Sequence, residues 1–231
     1  MITLYQWEMS PFCDKVRRVL HVKRQPYRVE ELDLAAVVTG KLRKINPVGK
    51  VPALEHDGKM IVDSSEIVRH LEREFPEPSL IPSEPGLRGL VHVLEDWADE
   101  SLYFYELHLR LTMRHNAQKW VPELTKRDAG VVRALARFVV PRETRARTRA
   151  QGVGKKSPDA IHADIERHVG SLGDLLGKRQ WLVGDALTLA DIAVFVQLFC
   201  IRSTLEGWPI INGTPNVVSW MDRVDAATRA A

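Results

Sequence analysis

The stretch Phe75-Pro76-Glu77-Pro78-Ser79-Leu80-Ile81-Pro82-Ser83-Glu84-Pro85-Gly86 splits the chain into two unlike parts. Prolines at 76, 78, 82 and 85 fix φ and remove backbone donors, which stops helix and strand alike and favours an extended connector. Before it, strand-like and helix-like patterns alternate; after it, only helical periodicity is found. The expected organisation is an α/β N-terminal domain over residues 1–76, a proline-rich linker over 77–86 and an all-helical domain over 87–231.

Upstream of the prolines, Ile2 to Trp7 is a β-prone run, and Ser10-Pro11 starts a helix as N-cap and first helical residue. Val16, Val19 and Leu20 give that helix an apolar face. Tyr27 to Leu32 alternates as a second strand, and a short helical turn is expected over Val37 to Lys44. Val51 to Glu55 and Met60 to Val62 flank His56-Asp57-Gly58-Lys59, a hairpin signal of the Asp-Gly kind. A helix over Ser64 to Glu74 places Ile67, Val68, Leu71 and Phe75 on one side, so the order is β-α-β-α-β-β-α. Downstream, helices are expected from Leu87 to His115, Asp159 to Leu176 and Val217 to Ala227. Another starts at Thr188 and runs through Ile192-Ala193-Val194-Phe195-Val196; apolar nearly all round, it belongs in the centre of the helical domain.

Composition excludes several classes. At 231 residues, 45% hydrophobic and 27% charged, the chain can bury a sizeable core and is neither a disordered tail nor a collagen-like repeat. The longest apolar stretch, Ala193 to Ile201, is too short for a bilayer span. Only Cys13 and Cys200 occur, which makes no disulfide scaffold and fits a reducing compartment. The first residues lack a basic start and a small-residue cleavage site, so no signal peptide is read and a cytoplasmic protein is expected. The eight histidines make no zinc-type cluster, and no metal is expected.

The formal net charge of +3 is uneven: from Arg114 to Lys156 there are 12 Lys/Arg against three acids. This segment carries only Trp120 and Phe138 as aromatics and no reader motif, so nucleic acid is not the expected partner. Val131 to Val139 is read as a helix and Arg142 to Lys156 as mobile.

Three short segments carry chemistry. In Ser10-Pro11-Phe12-Cys13, the Ser10 side chain lies at a helix N-terminus, where unpaired N–H groups and the dipole stabilise an anion. A hydroxyl there can hydrogen-bond a bound thiolate and lower that thiol's pKa; the same residues serve equally as a plain helix cap. In Asn46-Pro47-Val48-Gly49-Lys50-Val51-Pro52, a cis Val51-Pro52 bond would turn the Val51 N–H and C=O outward to pair with a peptide-like ligand, while the plainer reading is a loop entering an edge strand. In Asp63-Ser64-Ser65-Glu66, Ser64 can cap the helix, and Asp63 with Ser64 can hold an amino acid's ammonium and carboxylate. Thr188-Leu189-Ala190-Asp191 has capping-box spacing and a structural job.

In their order and separations these segments resemble the cytosolic glutathione transferase superfamily over the whole chain: an α/β thioredoxin-like N-terminal domain followed by an all-α C-terminal domain. Ser10-Pro11-Phe12-Cys13 resembles the family's active-site turn, Asn46-Pro47 with Lys50-Val51-Pro52 its glutathione loop and cis-proline, and Asp63-Ser64 its γ-glutamyl pair. Trp181-Leu182-Val183-Gly184-Asp185 through Ile192 is similar to the family's folding box. The resemblance implies a homodimeric Ser-type enzyme using glutathione as co-substrate against a small hydrophobic electrophile. It implies that Ser10 stabilises the glutathione thiolate. Val51 beside Pro52 pairs with the cysteinyl backbone, Asp63 and Ser64 hold the γ-glutamyl end, and Lys50 meets the glycyl carboxylate. The second substrate is expected between the Trp7-Glu8-Met9 loop and the long helix, with Phe12, Tyr103, Phe104, Leu107 and His108 as candidate lining. Tyr103, Phe104, Leu107 and His108 are equally explained as packing or dimer-interface residues. Two alternatives stand: a glutathione-dependent reductase, peroxidase or lyase working through Cys13, and a binding protein of the same fold acting through the basic segment at about 116–157. That segment departs from the family pattern in length, and can roof the substrate site, bind an anionic ligand or another protein, or be a solvated face.

Overall fold

Four short strands set the frame in the computed structural model, which describes residues 1–229; the last two residues of the expected helical domain lie outside the described residues. β1 (Ile2–Gln6), β2 (Tyr27–Glu31), β3 (Ala53–His56) and β4 (Lys59–Val62) form one sheet in the order β2-β1-β3-β4. β1 and β2 run parallel, joined through α1 (Pro11–Val22), and the other two pairs are antiparallel. The β3–β4 turn places Asp57 at φ 50° and Gly58 at φ 80°, the two left-handed residues that a two-residue hairpin needs. The expected helical turn at 37–44 is instead two short helices, α2 (Leu34–Val38) and α3 (Lys41–Ile45), joined through Gly40 at φ 75°. α1 and α4 (Ser64–Glu74) cover the sheet, and Val16, Val19, Leu20, Ile67, Val68 and Leu71 meet Leu4 and Leu54 in the core.

The single helix expected from Leu87 to His115 is broken. α5 (Pro85–Trp97) passes through a π-helical turn at Ala98–Leu102 into α6 (Tyr103–Thr112), and Met113 then leaves the helical region before α7 (Arg114–Leu124). Neither break sits at a proline or glycine. At the second, the buried Asn116 amide donates to the Leu109 carbonyl and to Glu206, so a distant contact fixes the new direction. The segment expected to be mobile, Arg142 to Lys156, is instead ordered. It continues α8 (Gly130–Gln151) across Pro141 and ends in a 3-10 turn at Val153–Lys155. Ala136, Val140, Thr144 and Thr148 fall four apart on the face of α8 turned to α6, and Thr148 Oγ lies 3.3 Å from His108 Nδ1. A Cβ at Gly154 would stand 2.8 Å from the Arg149 backbone nitrogen, so only glycine lets the turn close there.

α9 (Pro158–Leu176), α10 (Leu189–Arg202), α11 (Gly207–Asn212) and α12 (Pro215–Thr228) complete the helical domain. α10 is buried nearly all round, as its composition predicts, and packs against α1 across the domain boundary. The Asp191 carboxylate accepts from the N–H of Leu182 (2.8 Å) and Thr188 (2.9 Å) and from Trp220 Nε1 (2.8 Å), so the capping box also ties α12 to α10. Among the described residues no helix is long and apolar enough to cross a membrane.

Candidate active site

A cavity of about 850 Å³ opens where the α/β domain faces α5 and the π turn. Phe12, Asn46, Lys50, Val51, Pro52, Asp63, Ser64 and Ser65 line one side; His92, Glu95, Asp96 and Asp99 line the other. The structure thus brings together Lys50, Val51, Pro52, Asp63 and Ser64, segments separated in sequence by a whole hairpin.

Each side is built by local rules. The buried Asn46 holds its loop from within: its amide donates to the Lys50 carbonyl (2.8 Å) and its carbonyl accepts from Val48 N–H (3.0 Å). The Val51–Pro52 peptide is cis, and both strand ladders of β3 begin at Ala53. The Val51 N–H and C=O therefore lie outside strand pairing. Asp63, not Ser64, is the N-cap of α4; its Oδ1 accepts from Ser65 N–H (2.9 Å) and Glu66 N–H (3.2 Å). Asp63 sits at φ 77°, a backbone position that costs a non-glycine residue about 1–3 kcal/mol and persists where the surroundings hold it. Its cap uses one carboxylate oxygen, and the other is free for a ligand cation. Ser64 is the first helical residue and is buried.

Beneath this rim lies a network that sequence reading misses. Lys15 of α1 is fully buried and pairs with Asp99 and, at 3.1 Å, with Glu95, while Ser65 Oγ donates to Glu95 at 2.8 Å. Burial opposes the Lys15 charge, but Asp99 and Glu95 outweigh it and hold the ammonium above its ordinary range. Burial pushes the Asp99 carboxyl up to about 6; Lys15 pulls against it, and the Glu95 charge adds to the rise. The available signal was spacing: Lys15 lies one turn before Val19 on the apolar face of α1, and Glu95 and Asp99 stand four apart.

Ser10 is the N-cap of α1, half-buried; its Oγ accepts from Cys13 N–H at 3.4 Å, which leaves its own O–H free to donate. Phe12 lines the cavity, whereas Ser10, two residues earlier at the helix N-terminus, is not among its lining residues. Cys13 is fully buried, and burial pushes its thiol up to about 11.

Of the residues expected around a second substrate, only Phe12 lines the main cavity. Phe12 packs on Tyr103 (ring centroids 4.7 Å), and Tyr103 on Phe104 (5.2 Å). Leu107 is buried with Leu111, Ala117, Val121 and Ala136 in a cluster that joins α6 to α7 and α8. Burial and Arg145 hold the His108 imidazole below its ordinary range. Trp7 and Met9 face the α7–α8 turn across a cleft of only about 10 Å³. That turn is pinned down: Asp128 accepts from Ala35 N–H (2.9 Å) and Leu34 N–H (3.3 Å), and Lys126 pairs with Glu8 (3.0 Å). Glu123, Leu124, Lys126 and Arg127 of the basic segment line this cleft opposite Trp7, Glu8 and Met9. Among the described residues no group of three or more His, Cys, Asp or Glu is arranged to hold a metal ion.

The N-terminal domain of glutathione S-transferase matches residues 4–79 and its C-terminal domain residues 124–223. Protein LigF of Sphingobium sp. strain SYK-6 is 30% identical over 198 residues, spanning 80% of this chain and 73% of its own. The crystal structure of LigF, titled a beta-etherase, superposes with a TM-score of 0.68 at 25% identity over 97% of this chain and 95% of that one. A probable maleylacetoacetate isomerase of Caenorhabditis elegans is 26% identical over 214 residues, 90% of this chain and 84% of its own. The structure of a glutathione S-transferase from Rhodospirillum rubrum F11 superposes with a TM-score of 0.69 at 25% identity over 99% of this chain and 90% of that one. Two matched domains in one chain, with the thioredoxin-like sheet and the helical domain in the same order, place the assignment beyond a shared fold: the chain belongs to the glutathione S-transferase family.

Proposed function

We propose that the chain is a glutathione-dependent enzyme that activates the glutathione thiol for attack on a small hydrophobic electrophile. The observation that carries this reading is the charge layout of the 850 Å³ cavity. Asp63 and Asp96 line it with Glu95 and Asp99, which share the buried Lys15, and with Arg69, and the acidic excess suits an ammonium; the Val51 N–H and C=O outside strand pairing suit a peptide backbone, and Lys50 suits a carboxylate. A γ-glutamyl tripeptide carries those groups in that order.

Ser10 is the residue for the sulfur. Its hydroxyl already accepts from Cys13 N–H, which polarises the O–H it would donate, and it stands at the positive end of the α1 dipole. With the thiol proton released to solvent, the thiolate attacks an electrophilic carbon, the C–S bond forms, and the leaving group departs with its electron pair. The name of LigF favours an ether carbon as the electrophile, with an alkoxide or phenoxide leaving. Cys13 is poorly placed for a mixed-disulfide reaction, since a thiol near 11 is ionised only to about one part in ten thousand at pH 7.

The test is turnover of a panel of aryl halides and β-aryl ethers with glutathione by the parent, Ser10→Ala and Cys13→Ala. The reading expects Ser10→Ala to lose about 10²-fold or more and Cys13→Ala to stay within a few-fold. The reverse pattern would replace it with the Cys13 chemistry.

A further inference from the structure

Three successive carbonyls lead into Ser10, and each is held differently. The Trp7 carbonyl accepts from Ser10 N–H at 3.0 Å and the Glu8 carbonyl from Arg17 Nη2 at 3.1 Å, both within the α/β domain. The Met9 carbonyl accepts from Arg110 Nη2 at 3.2 Å and, among the described residues, from no other group. Arg110 belongs to α6 of the helical domain. We propose that Arg110 is a positioning residue for the sulfur chemistry: by holding the Met9 carbonyl it fixes the Met9–Ser10 peptide and aims the Ser10 O–H at the glutathione thiol, a role that rests on Ser10 being the group that meets the sulfur.

The plainer role for Arg110 is a structural ion pair with Glu106, and the geometry weighs against it. Both residues are buried, and Arg110 Nε lies 3.1 Å from Glu106 Oε2. Yet neither that nitrogen nor either Glu106 oxygen makes an aligned hydrogen bond. A buried ion pair recovers its desolvation cost only with good geometry, so apolar residues of similar volume would pack as well or better. What they could not do is reach the active-site turn. The guanidinium is a rigid plane with donors in separate directions. Nη1 donates to Cys200 Sγ of α10 at 3.3 Å, and the guanidinium carbon stands 5.7 Å from the centroid of the Trp120 ring on α7. With α6, α7 and α10 around the fork, Nη2 is a fixed point for the Met9 carbonyl.

The plane of the Met9–Ser10 peptide sets the direction in which the Ser10 side chain leaves the backbone. Within the turn the Ser10 Oγ has only the 3.4 Å contact from Cys13 N–H to hold it. A displacement on the order of 1 Å near a reacting group costs about 10²-fold in rate, so one hydrogen bond on the preceding carbonyl has leverage over the chemistry. The contact also crosses between the domains, which makes the aim of Ser10 depend on α6 being docked.

The experiment compares the parent with Arg110→Lys, Arg110→Met and the neutral pair Glu106→Gln/Arg110→Met, each with and without Ser10→Ala. Lysine keeps a charge beside Glu106 and lacks the fork. The neutral pair strands no charge, so the comparison stands even where Arg110→Met alone fails to fold. The readouts are the pKa of bound glutathione by thiolate ultraviolet absorbance, glutathione Kd by calorimetry, and kcat/KM with a chlorodinitrobenzene at pH 6.5. The expected result is a bound-thiol pKa about one unit higher in each Arg110 variant and kcat/KM about ten-fold lower, with glutathione Kd within a few-fold of the parent. In the Ser10→Ala background the same changes should add nothing, because no hydroxyl is left to aim. A structural Arg110 would lower the thermal midpoint and leave the thiol pKa where it is. That outcome, or an equal shift with and without Ser10, overturns the proposal. Ser10→Ala alone leaving the thiol pKa at the parent value overturns the reading of Ser10 itself, and that arm is read before any Arg110 variant is compared.

Discussion

Replacing Lys15 by methionine tests the network under the candidate site in a way its geometry makes quantitative. The substitution keeps an unbranched side chain of similar length and removes one charge that is fully buried and shared between Glu95, at 3.1 Å, and Asp99. In Lys15→Met, two buried carboxylates would face each other without a cation, and breaking a buried ion pair from one side costs about 3–5 kcal/mol. That loss depends on pH in a defined direction. The folded-state pKa of Asp99 is about 6, above its value in an unfolded chain, and removing Lys15 raises it further. The folded variant therefore binds more protons than the unfolded chain across the acid range, and its stability falls as pH rises. In the parent, Lys15 titrates far above this range, so its own contribution is constant between pH 5 and 8. At pH 5 most of Asp99 is protonated, only Glu95 loses a partner, and the loss shrinks to about 2 kcal/mol. Urea denaturation at pH 5 and 8, at matched ionic strength, reads both values as midpoint shifts at constant slope. Adding Asp99→Asn to Lys15→Met should recover part of the loss at pH 8. A loss under about 1 kcal/mol at pH 8, a loss no smaller at pH 5, or no recovery in the double variant would refute the reasoning.

Two further predictions concern Asp99 and Asp191. Because Asp99 lines the cavity and ionises as pH rises through about 6, glutathione affinity should rise between pH 5 and 7 in the parent and stay flatter in Asp99→Asn; equal slopes in calorimetry would contradict the role given to its charge. Asp191→Ala strands the buried donors of Leu182, Thr188 and Trp220 and should cost about 3–5 kcal/mol, read as a lowered midpoint with a red-shifted Trp220 emission; a loss under 1 kcal/mol would mean that this hub is dispensable.

What the sequence discloses is what local chemistry determines. Ser10-Pro11 caps α1, Asp57-Gly58 turns the hairpin, Asp191 closes the capping box, and the apolar run in α10 is buried, each because the residues involved settle their own conformation. Asp63 takes the cap that Ser64 was offered, since its carboxylate reaches two N–H groups from the residue before the helix. The breaks at Ala98 and Met113 left no such mark, because the contact that redirects α7 comes from Glu206, about ninety residues away. α8 was obscured by Pro141 and by its arginines, although Ala136, Val140, Thr144 and Thr148 carry a four-residue period that could have revealed it. The Lys15–Glu95–Asp99 network joins α1 to α5 and the π turn, so it exists only once the two domains pack. The narrow cleft between Trp7, Met9 and the α7–α8 turn has the same origin, in an aspartate from the basic segment capping a helix of the other domain.

The central claim, that the cavity beside Val51 and Asp63 is a glutathione site, is tested most directly by calorimetric titration of the purified chain with glutathione, with Asp63→Asn alongside. Asparagine keeps the cap oxygen and tolerates a positive φ better than most residues, so the variant removes charge and little else. The account predicts binding in the micromolar to millimolar range that Asp63→Asn weakens several-fold while its thermal midpoint stays near that of the parent. No heat and no thermal stabilisation at several millimolar glutathione, or equal affinity in the variant, would contradict it.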